Sequence, residues 1–342
     1  MNFHLFIPDF FAGISAAASE RLSAVETLIA RGRRKRLPAI SPEAWLFGRF
    51  STAKQTDWPV APYALLADGG APGHHFWLRA DPVHLRAGRE RMLLMDSSAF
   101  EISRAEAEAL VETLNRHFGD TAMFHAPAPN RWYLRPRDPL GIETTPLTAA
   151  RTQPLEACLA RGGDALRAHA LMNEAQMLLH EHPVNLEREA RGAPAVNGVW
   201  LWGGGAIDAP GGGGALVAPG ARPFDIVFGD DPLARGLALA AGIPARTLPR
   251  DAEATLGALA QEGVALIALD VLQAAADPAD AARLREAMEC DWFVPLLAAL
   301  ESGHIGMLTL HLPGTDALLE VETVRQDLRY FWRRRKPLPV YA

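Results

Sequence analysis

The sequence predicts an α/β fold: a mostly parallel sheet core flanked by helices, with a smaller α+β domain inserted into it. After Thr152, apolar segments of strand length alternate with amphipathic helices, an order typical of parallel sheets. At 75–151 the order becomes strand-strand-helix-strand-strand, which is typical of an inserted domain. The chain has 342 residues, enough for both parts. We therefore predict a discontinuous core at 1–74 and 152–342.

The N-terminal part begins with a predicted buried strand and continues with helices. The apolar run Phe3–Ile7 stops at a proline and predicts a parallel strand. Apolar residues at helical spacing predict a helix over Ser19–Ala30, which ends in a basic cluster. A second helix should begin after Ser41, because serine is a preferred N-cap and Pro42 suits the first helical position. Residues 59–73 are rich in proline, glycine and alanine and predict a linker.

Two pairs of strands around one helix make up the predicted insert. The helix Ser103–Phe118 opens with serine and has Glu106 at the spacing of a capping box. The four strands are predicted from apolar and aromatic runs at His75–Leu85, Glu90–Met95, Thr121–His125 and Arg131–Leu134.

The C-terminal part supplies the remaining predicted core elements. Helical periodicity predicts helices at Asp164–His180, Asp231–Ala241 and Ala279–Leu300. Apolar runs predict core strands at Val199–Trp202, Asp225–Phe228 and Val264–Leu269. Four consecutive glycines make Ala209–Gly220 a predicted mobile loop.

Composition excludes several classes of function. The formal net charge is −6, from 34 Lys and Arg against 40 Asp and Glu, which gives no general attraction to nucleic acid or to a membrane. Two cysteines, Cys158 and Cys290, are too few for a disulfide framework and suit a reducing compartment. No apolar run reaches the roughly 20 residues of a membrane span, and the N-terminus lacks a signal-peptide pattern. We therefore expect a cytoplasmic protein.

The segment His180–Gly205, HEHPVNLEREARGAPAVNGVWLWGGG, carries the most specific pattern in the chain. It closely resembles one block of the archaeal-type, cofactor-independent phosphoglycerate mutases, metal enzymes of the alkaline phosphatase superfamily. The FIPDFFA, NRWYL and EAMECDWFVPLLAAL segments are similar to further parts of that family. The resemblance implies an alkaline-phosphatase-like core, and the nearest relatives are expected among bacterial RpfE-type regulatory proteins.

The family's two-metal chemistry requires anionic oxygen ligands, imidazoles and a hydroxyl nucleophile. By resemblance, Asp9 matches a metal-binding aspartate, Ser41 the nucleophile, and His311 one of two residues in an Asp-His pair. Several matches fail, because Pro42 replaces a metal-binding aspartate and no histidine occurs in LDVLQAAADPADAA. The alternative role of Ser41 is a helix N-cap. We expect the phosphoryl-transfer machinery to be absent and no cofactor to be required.

Two groups of residues could bind a ligand. Arg33 and Arg34 belong to the RGRRKR cluster, and Arg333–Lys336 form a second basic run that could hold a phosphate or an acidic partner. The alternative is a solvated helix end and tail, and binding is favoured if both runs face one crevice. The resemblance block supplies further candidate ligand-binding residues: Asn185, Arg188, Asn197, Trp202 and Gly203. For Trp202, packing against helices is the alternative.

Three hypotheses for function follow. The first is a pseudoenzyme, a non-catalytic or weakly catalytic phosphoglycerate-mutase-like protein that binds a small anionic ligand or a protein partner in a regulatory role. The second is a metal-dependent mutase or phosphatase that uses manganese or zinc at a rearranged site of Asp9, Ser41, Asp270, Asp277 and His311. The third is a protein-interaction module.

Overall fold

The structure is a computed structural model that describes residues 1–14, 21–88, 92–207, 222–258, 263–275 and 277–342. The predicted loop Ala209–Gly220 lies outside these residues. The chain divides into two compact units, Met1–Phe50 with Val217–Ala342, and Ser51–Leu216. Across the described ranges, no helix has both the length and the apolar character needed to cross a bilayer.

The strands of both units are numbered in chain order. They are β1 (Asn2–Phe6), β2 (Arg33–Pro38), β3 (Trp77–Ala87), β4 (Met92–Met95), β5 (Ala122–Ala128), β6 (Arg131–Pro136), β7 (Ile142–Glu143), β8 (Arg161–Gly162), β9 (Gly198–Gly205), β10 (Ile226–Gly229), β11 (Ala245–Arg246), β12 (Val264–Ala268), β13 (Met307–Pro313) and β14 (Ala317–Val324).

The helices are numbered in the same way. They are α1 (Ser23–Arg31), α2 (Pro42–Arg49), α3 (Val60–Ala67), α4 (Arg104–Phe118), α5 (Leu147–Ala150), α6 (Leu155–Cys158), α7 (Ala165–His180), α8 (Pro183–Ala190), α9 (Pro232–Ala240), α10 (Ala252–Gly257), α11 (Pro278–Met288) and α12 (Val294–Ser302). A π-helical turn, Glu289–Phe293, joins α11 to α12.

The first unit is built on a seven-stranded sheet in the order β11-β10-β12-β1-β13-β14-β2. The five strands from β11 to β13 are parallel, and β14 and β2 add an antiparallel edge. Side chains of β1 alternate between the faces: Phe3 and Leu5 join a buried cluster with α1 and α12, whereas Phe6 stacks on Trp45 of α2. The predicted mostly parallel α/β sheet, with core strands near Phe3–Ile7, Asp225–Phe228 and Val264–Leu269, is confirmed.

The basic cluster after α1 is a strand and not the solvated helix end that was the alternative. Helix α1 ends at Arg31, and Gly32 has an extended ψ of 170° that turns the chain into β2. A side chain at Gly32 would collide with Thr323 of β14 and with the Leu28 carbonyl oxygen, so only glycine allows this close approach. Strand β2 then pairs antiparallel with β14 at the edge of the sheet.

The second unit contains an antiparallel sheet in which β3 pairs with β4, β6 and β9, and β6 pairs with β5. Helix α4 begins as predicted, with Ser103 and Glu106 forming a reciprocal capping box. The prediction for Val199–Trp202 needs correction, since this strand, β9, pairs with β3 and does not join the parallel sheet. Val199 and Leu201 are buried in the apolar cluster of this unit. The second unit is therefore larger than the insert predicted at 75–151.

Candidate functional site

Acidic side chains follow three neighbouring strands of the parallel sheet. Asp9 follows β1, Asp230 and Asp231 follow β10, and Asp270 follows β12, at the carboxyl edge where open α/β sheets bind ligands. Asp9 has a left-handed backbone with φ of 58°, which is uncommon for a residue other than glycine. Sequence reasoning missed Asp230 and Asp231, although their position directly after an apolar run was a usable signal.

The carboxyl groups at this edge repel one another. Burial, followed by the charges of Asp231 and Asp230, raises the pKa of Asp270 to about 7. Burial raises the pKa of Glu43 in α2, and the charges of Asp231 and Asp9 add to that effect. We call Asp9, Glu43, Asp230, Asp231 and Asp270 the carboxylate cluster. Part of it is structural, because Asp231 accepts hydrogen bonds from the first amides of α9 and Asp230 accepts one from the Leu248 amide.

His311 belongs to a buried polar network under α2. It lies inside β13, and its Nε2 is 2.9 Å from Nδ1 of His4. Its Nδ1 is 3.2 Å from a Glu320 oxygen and 3.4 Å from Nη2 of Arg49. Burial lowers the pKa of His311, although its hydrogen bond to Glu320 acts in the opposite direction. Both ring nitrogens therefore face protein partners, and the metal-ligand role of His311 stays a prediction.

The donor set at the carboxyl edge does not fit a two-metal centre. The carboxylate cluster offers oxygen ligands but none of the imidazoles that the sequence resemblance implies. Among the residues that the structure describes, no group of three or more His, Cys, Asp or Glu side chains could hold a metal ion. Asp277 has another task, because it caps α11 by accepting hydrogen bonds from the Ala279 and Asp280 amides, at 2.9 and 2.8 Å.

Ser41 occupies the N-cap of α2. Its hydroxyl oxygen accepts a hydrogen bond from the Ala44 amide at 3.2 Å, and Pro42 fills the first helical position. This is the role that sequence analysis gave as the alternative to a nucleophile. The Ser41 side chain is exposed. The member of the carboxylate cluster that is nearest to Ser41 in the sequence is Glu43.

The two basic runs of the sequence line one cavity in the first unit. Its volume is about 580 Å³. We call it the basic cavity. It is lined by Ala30, Gly32, Arg33, Arg34, Arg333, Arg334, Lys336 and Tyr341. The condition set by sequence analysis, that both runs face one crevice, is met.

Local contacts hold several cations of the basic cavity in place. Arg33 forms an ion pair with Glu322 of β14, and Arg34 lies over the Tyr341 ring at 5.6 Å. Arg333 donates a hydrogen bond to the Arg31 carbonyl oxygen at 2.8 Å. Within the described ranges, Glu322 is the only acidic residue that forms an ion pair with a lining residue. Positive charge is therefore in excess at the basic cavity.

Comparison with known proteins shows which family the chain is similar to. The sequence model described as 2,3-bisphosphoglycerate-independent phosphoglycerate mutase matches residues 73–185. The enzyme of that name from Methanosarcina mazei is 29% identical over 194 residues, which cover 54% of this chain and 48% of the relative. The Methanosarcina barkeri enzyme is 33% identical over 131 residues, 37% of this chain and 32% of the relative. The chain is similar to these phosphoglycerate mutases. It spans less than half the length of either relative.

A solved structure supports the fold. The PH0037 protein from Pyrococcus horikoshii superposes with a TM-score of 0.57 at 13% sequence identity, covering 94% of this chain and 87% of that protein. The mutase family match at 73–185 falls inside the second unit. The carboxylate cluster and the basic cavity both lie outside the matched residues.

Two candidates from the block that resembles the phosphoglycerate mutases have structural roles. Asn185 is fully buried and joins α8 to its surroundings through hydrogen bonds with the Leu179 carbonyl oxygen and both backbone groups of Val196. Arg188 is also buried and donates to Glu106 at 3.0 Å and to the carbonyl oxygens of Pro194 and Glu101. These contacts occupy the polar groups expected to bind a ligand.

The other three candidates of this block also hold the second unit together. The amide of Asn197 pairs with both backbone groups of Leu85, at 2.7 and 2.9 Å. The indole N–H of Trp202 donates to Asp81 at 2.7 Å. Gly203 has φ of +66°, and a Cβ there would lie 2.7 Å from the Val60 Cβ, so the position requires glycine. None of the five residues from this block lines the basic cavity.

Proposed function

We propose that this chain is a non-catalytic or weakly catalytic phosphoglycerate-mutase-like protein that binds a small phosphorylated anion in a regulatory role. The proposal includes a close relationship to the bacterial RpfE-type regulatory proteins. The observation that carries it is the basic cavity, where cations from two distant parts of the chain meet.

The chemistry of the basic cavity favours an anionic ligand. Arginine guanidinium groups bind phosphate through paired hydrogen bonds, and the cavity is lined by four of them and one lysine. Its volume of about 580 Å³ is in the usual range for small-molecule sites. The carboxylate cluster, in contrast, would repel a phosphate in the absence of cations.

We expect phosphorylated metabolites to raise the melting temperature. A ligand that binds only the native state adds about 2.7 kcal/mol at a hundredfold excess over its Kd. Thermal-shift measurements with 3-phosphoglycerate and inorganic phosphate should show this stabilisation, and the variant Arg33→Ala/Arg34→Ala should lose it.

The matched control is Arg104→Ala/Arg116→Ala, which removes two exposed cations from α4 in the second unit. This variant should keep the full ligand-induced shift. The proposal would be contradicted, and the protein-interaction module favoured, if no anion raised the melting temperature or if both double variants lost the ligand-induced shift equally.

The carboxylate cluster favours a second candidate, a metal-dependent mutase or phosphatase, because it stands where α/β enzymes bind their ligands. Among the described residues, no three or more His, Cys, Asp or Glu side chains are placed to hold a metal ion, so we expect protein purified without chelator to contain no stoichiometric manganese or zinc. A 3-phosphoglycerate mutase assay with added manganese should show no turnover above background.

The matched pair for this assay is Ser41→Ala and Ser103→Ala, since both serines cap a helix and only Ser41 is a candidate nucleophile. Stoichiometric metal together with activity that Ser41→Ala abolishes and Ser103→Ala retains would establish the enzyme.

A further inference from the structure

Large aromatic side chains are exposed beside the basic cavity. Phe331 is 76% exposed and Trp332 is 63% exposed. The Trp332 ring packs against the rings of Tyr330 and Phe331, with centroid distances of 5.2 and 5.3 Å. We call Tyr330–Trp332 the aromatic turn. Exposed apolar side chains that are grouped together are a common feature of interaction surfaces.

The aromatic turn and the basic cavity form one continuous surface. Arg333 follows Trp332 directly, lines the cavity, and holds its guanidinium 4.7 Å from the centroid of the Tyr330 ring. Arg334 and Lys336 continue the lining. Further along the tail, Leu338 is buried in the core of the first unit, which anchors the segment against the sheet. Cations and apolar rings are therefore presented together by an anchored part of the chain.

We propose that this surface binds the face of an anionic phospholipid membrane. The basic cavity receives a phosphate headgroup, and Phe331 and Trp332 enter the boundary between headgroups and acyl chains. Tryptophan and phenylalanine favour this boundary, and clustered arginine and lysine are attracted to anionic lipid. The inference rests on the proposed function because it uses the same cavity.

Two chemical arguments favour a membrane over a soluble anion or an acidic protein. A soluble phosphate would occupy the cavity and leave Phe331 and Trp332 in water. An acidic protein would satisfy the cations, but its charged side chains would offer nothing to the aromatic rings. The net charge of −6 gives no general attraction to an anionic surface, so binding must arise from this local patch.

Co-sedimentation of the full chain with vesicles tests the proposal. We expect binding to vesicles that contain phosphatidylserine, little binding to phosphatidylcholine alone, and weaker binding as salt is raised. Arg33→Ala/Arg34→Ala should weaken binding about 30-fold. Phe331→Ala/Trp332→Ala should weaken it at least about tenfold, while keeping the thermal shift with soluble phosphate.

Two control variants match these changes in charge and in apolar surface. Arg104→Ala/Arg116→Ala removes two exposed cations elsewhere, and Leu166→Ala/Met177→Ala removes two exposed apolar side chains of α7. Both should bind vesicles as the unmodified chain does. The proposal would be overturned if these control variants lost vesicle binding as much as the cavity and aromatic variants do.

The remaining outcomes separate this inference from the proposed function. Stabilisation by soluble phosphate without vesicle binding would refute the membrane surface and leave the anion site standing. Failure of both measurements would refute both. An acidic protein partner would be favoured, and the inference overturned, by one combination of results. In it, polyglutamate competes fully with vesicles for the chain, and Phe331→Ala/Trp332→Ala leaves the binding of polyglutamate unchanged.

Discussion

Replacing Arg188 with methionine should lower the free energy of unfolding by about 3–5 kcal/mol. Arg188 is 1% exposed and donates hydrogen bonds to Glu106, to the Pro194 carbonyl oxygen and to the Glu101 carbonyl oxygen. Methionine has a similar length but no donor, so the Pro194 and Glu101 carbonyl oxygens would lose the Arg188 donor and Glu106 would lose one of its two arginine partners. Urea denaturation of the full chain measures the loss.

Arg191→Met is the matched control, because Arg191 pairs with the same oxygen of Glu106 but is half exposed. It should cost no more than about 1 kcal/mol. The comparison also tests the role of Arg188, since a residue kept for ligand binding can be replaced with little loss of stability. A small and equal effect of both substitutions would contradict the structural role.

Replacing Arg79 with methionine should lower the free energy of unfolding by a similar amount, about 3–5 kcal/mol. Arg79 is buried, with Nη2 2.5 Å from Oδ1 of Asp81, and its guanidinium lies 5.2 Å from the Tyr133 ring centroid and 5.4 Å from that of Trp202. Its removal leaves the buried carboxylate of Asp81 without its cation and with the Trp202 indole N–H as a remaining donor. Urea denaturation again provides the measurement, and Arg116→Met, which breaks an exposed pair on α4, should change stability by less than about 0.5 kcal/mol.

The loss from Arg79→Met should depend on pH in a defined direction. Burial raises the pKa of Asp81 while Arg79 opposes that effect, so removing Arg79 raises this pKa further. A raised pKa in the folded state means that the folded protein binds more protons, and stability then falls as pH rises. The variant should be more impaired at pH 8 than at pH 5. Adding Asp81→Asn should remove this pH dependence, and a loss that is flat with pH in the single variant would contradict the account.

Local signals explain the elements that sequence analysis predicted correctly. The capping box of α4 depends on Ser103 and Glu106, which are neighbours in sequence. The strand β12 is a short apolar run with side chains buried on both faces, as central parallel strands require, and β1 has three buried apolar residues, Phe3, Leu5 and Phe6. Each signal is complete within a few residues and does not depend on the rest of the chain.

The position of β9 could not be predicted in this way. Its apolar run suits a buried strand in either sheet, and the choice depends on its pairing with β3, which is more than a hundred residues earlier in the chain. Glycine aids the pairing, because a Cβ at Gly204 would lie 2.8 Å from a methyl group of Leu78. The block around Arg188 resembles the mutases in sequence, but only the structure shows that its polar groups bind one another.

The basic cavity was predictable in part. Both basic runs are visible in the sequence, and an anion site was predicted if the two runs faced one crevice. Their meeting depends on the pairing of β2 with β14 and on the return of the tail past the end of α1. These contacts join residues about three hundred positions apart, so no local pattern contains them.

Strand β2 also has a consequence for self-association. It forms one border of the seven-stranded sheet, and four of its six residues are arginine or lysine. An unprotected edge strand can pair through backbone hydrogen bonds with the same strand of another molecule, and dense charge of one sign opposes this pairing by repulsion. The cations proposed to bind a phosphate should therefore also oppose the pairing of this sheet edge with that of another copy.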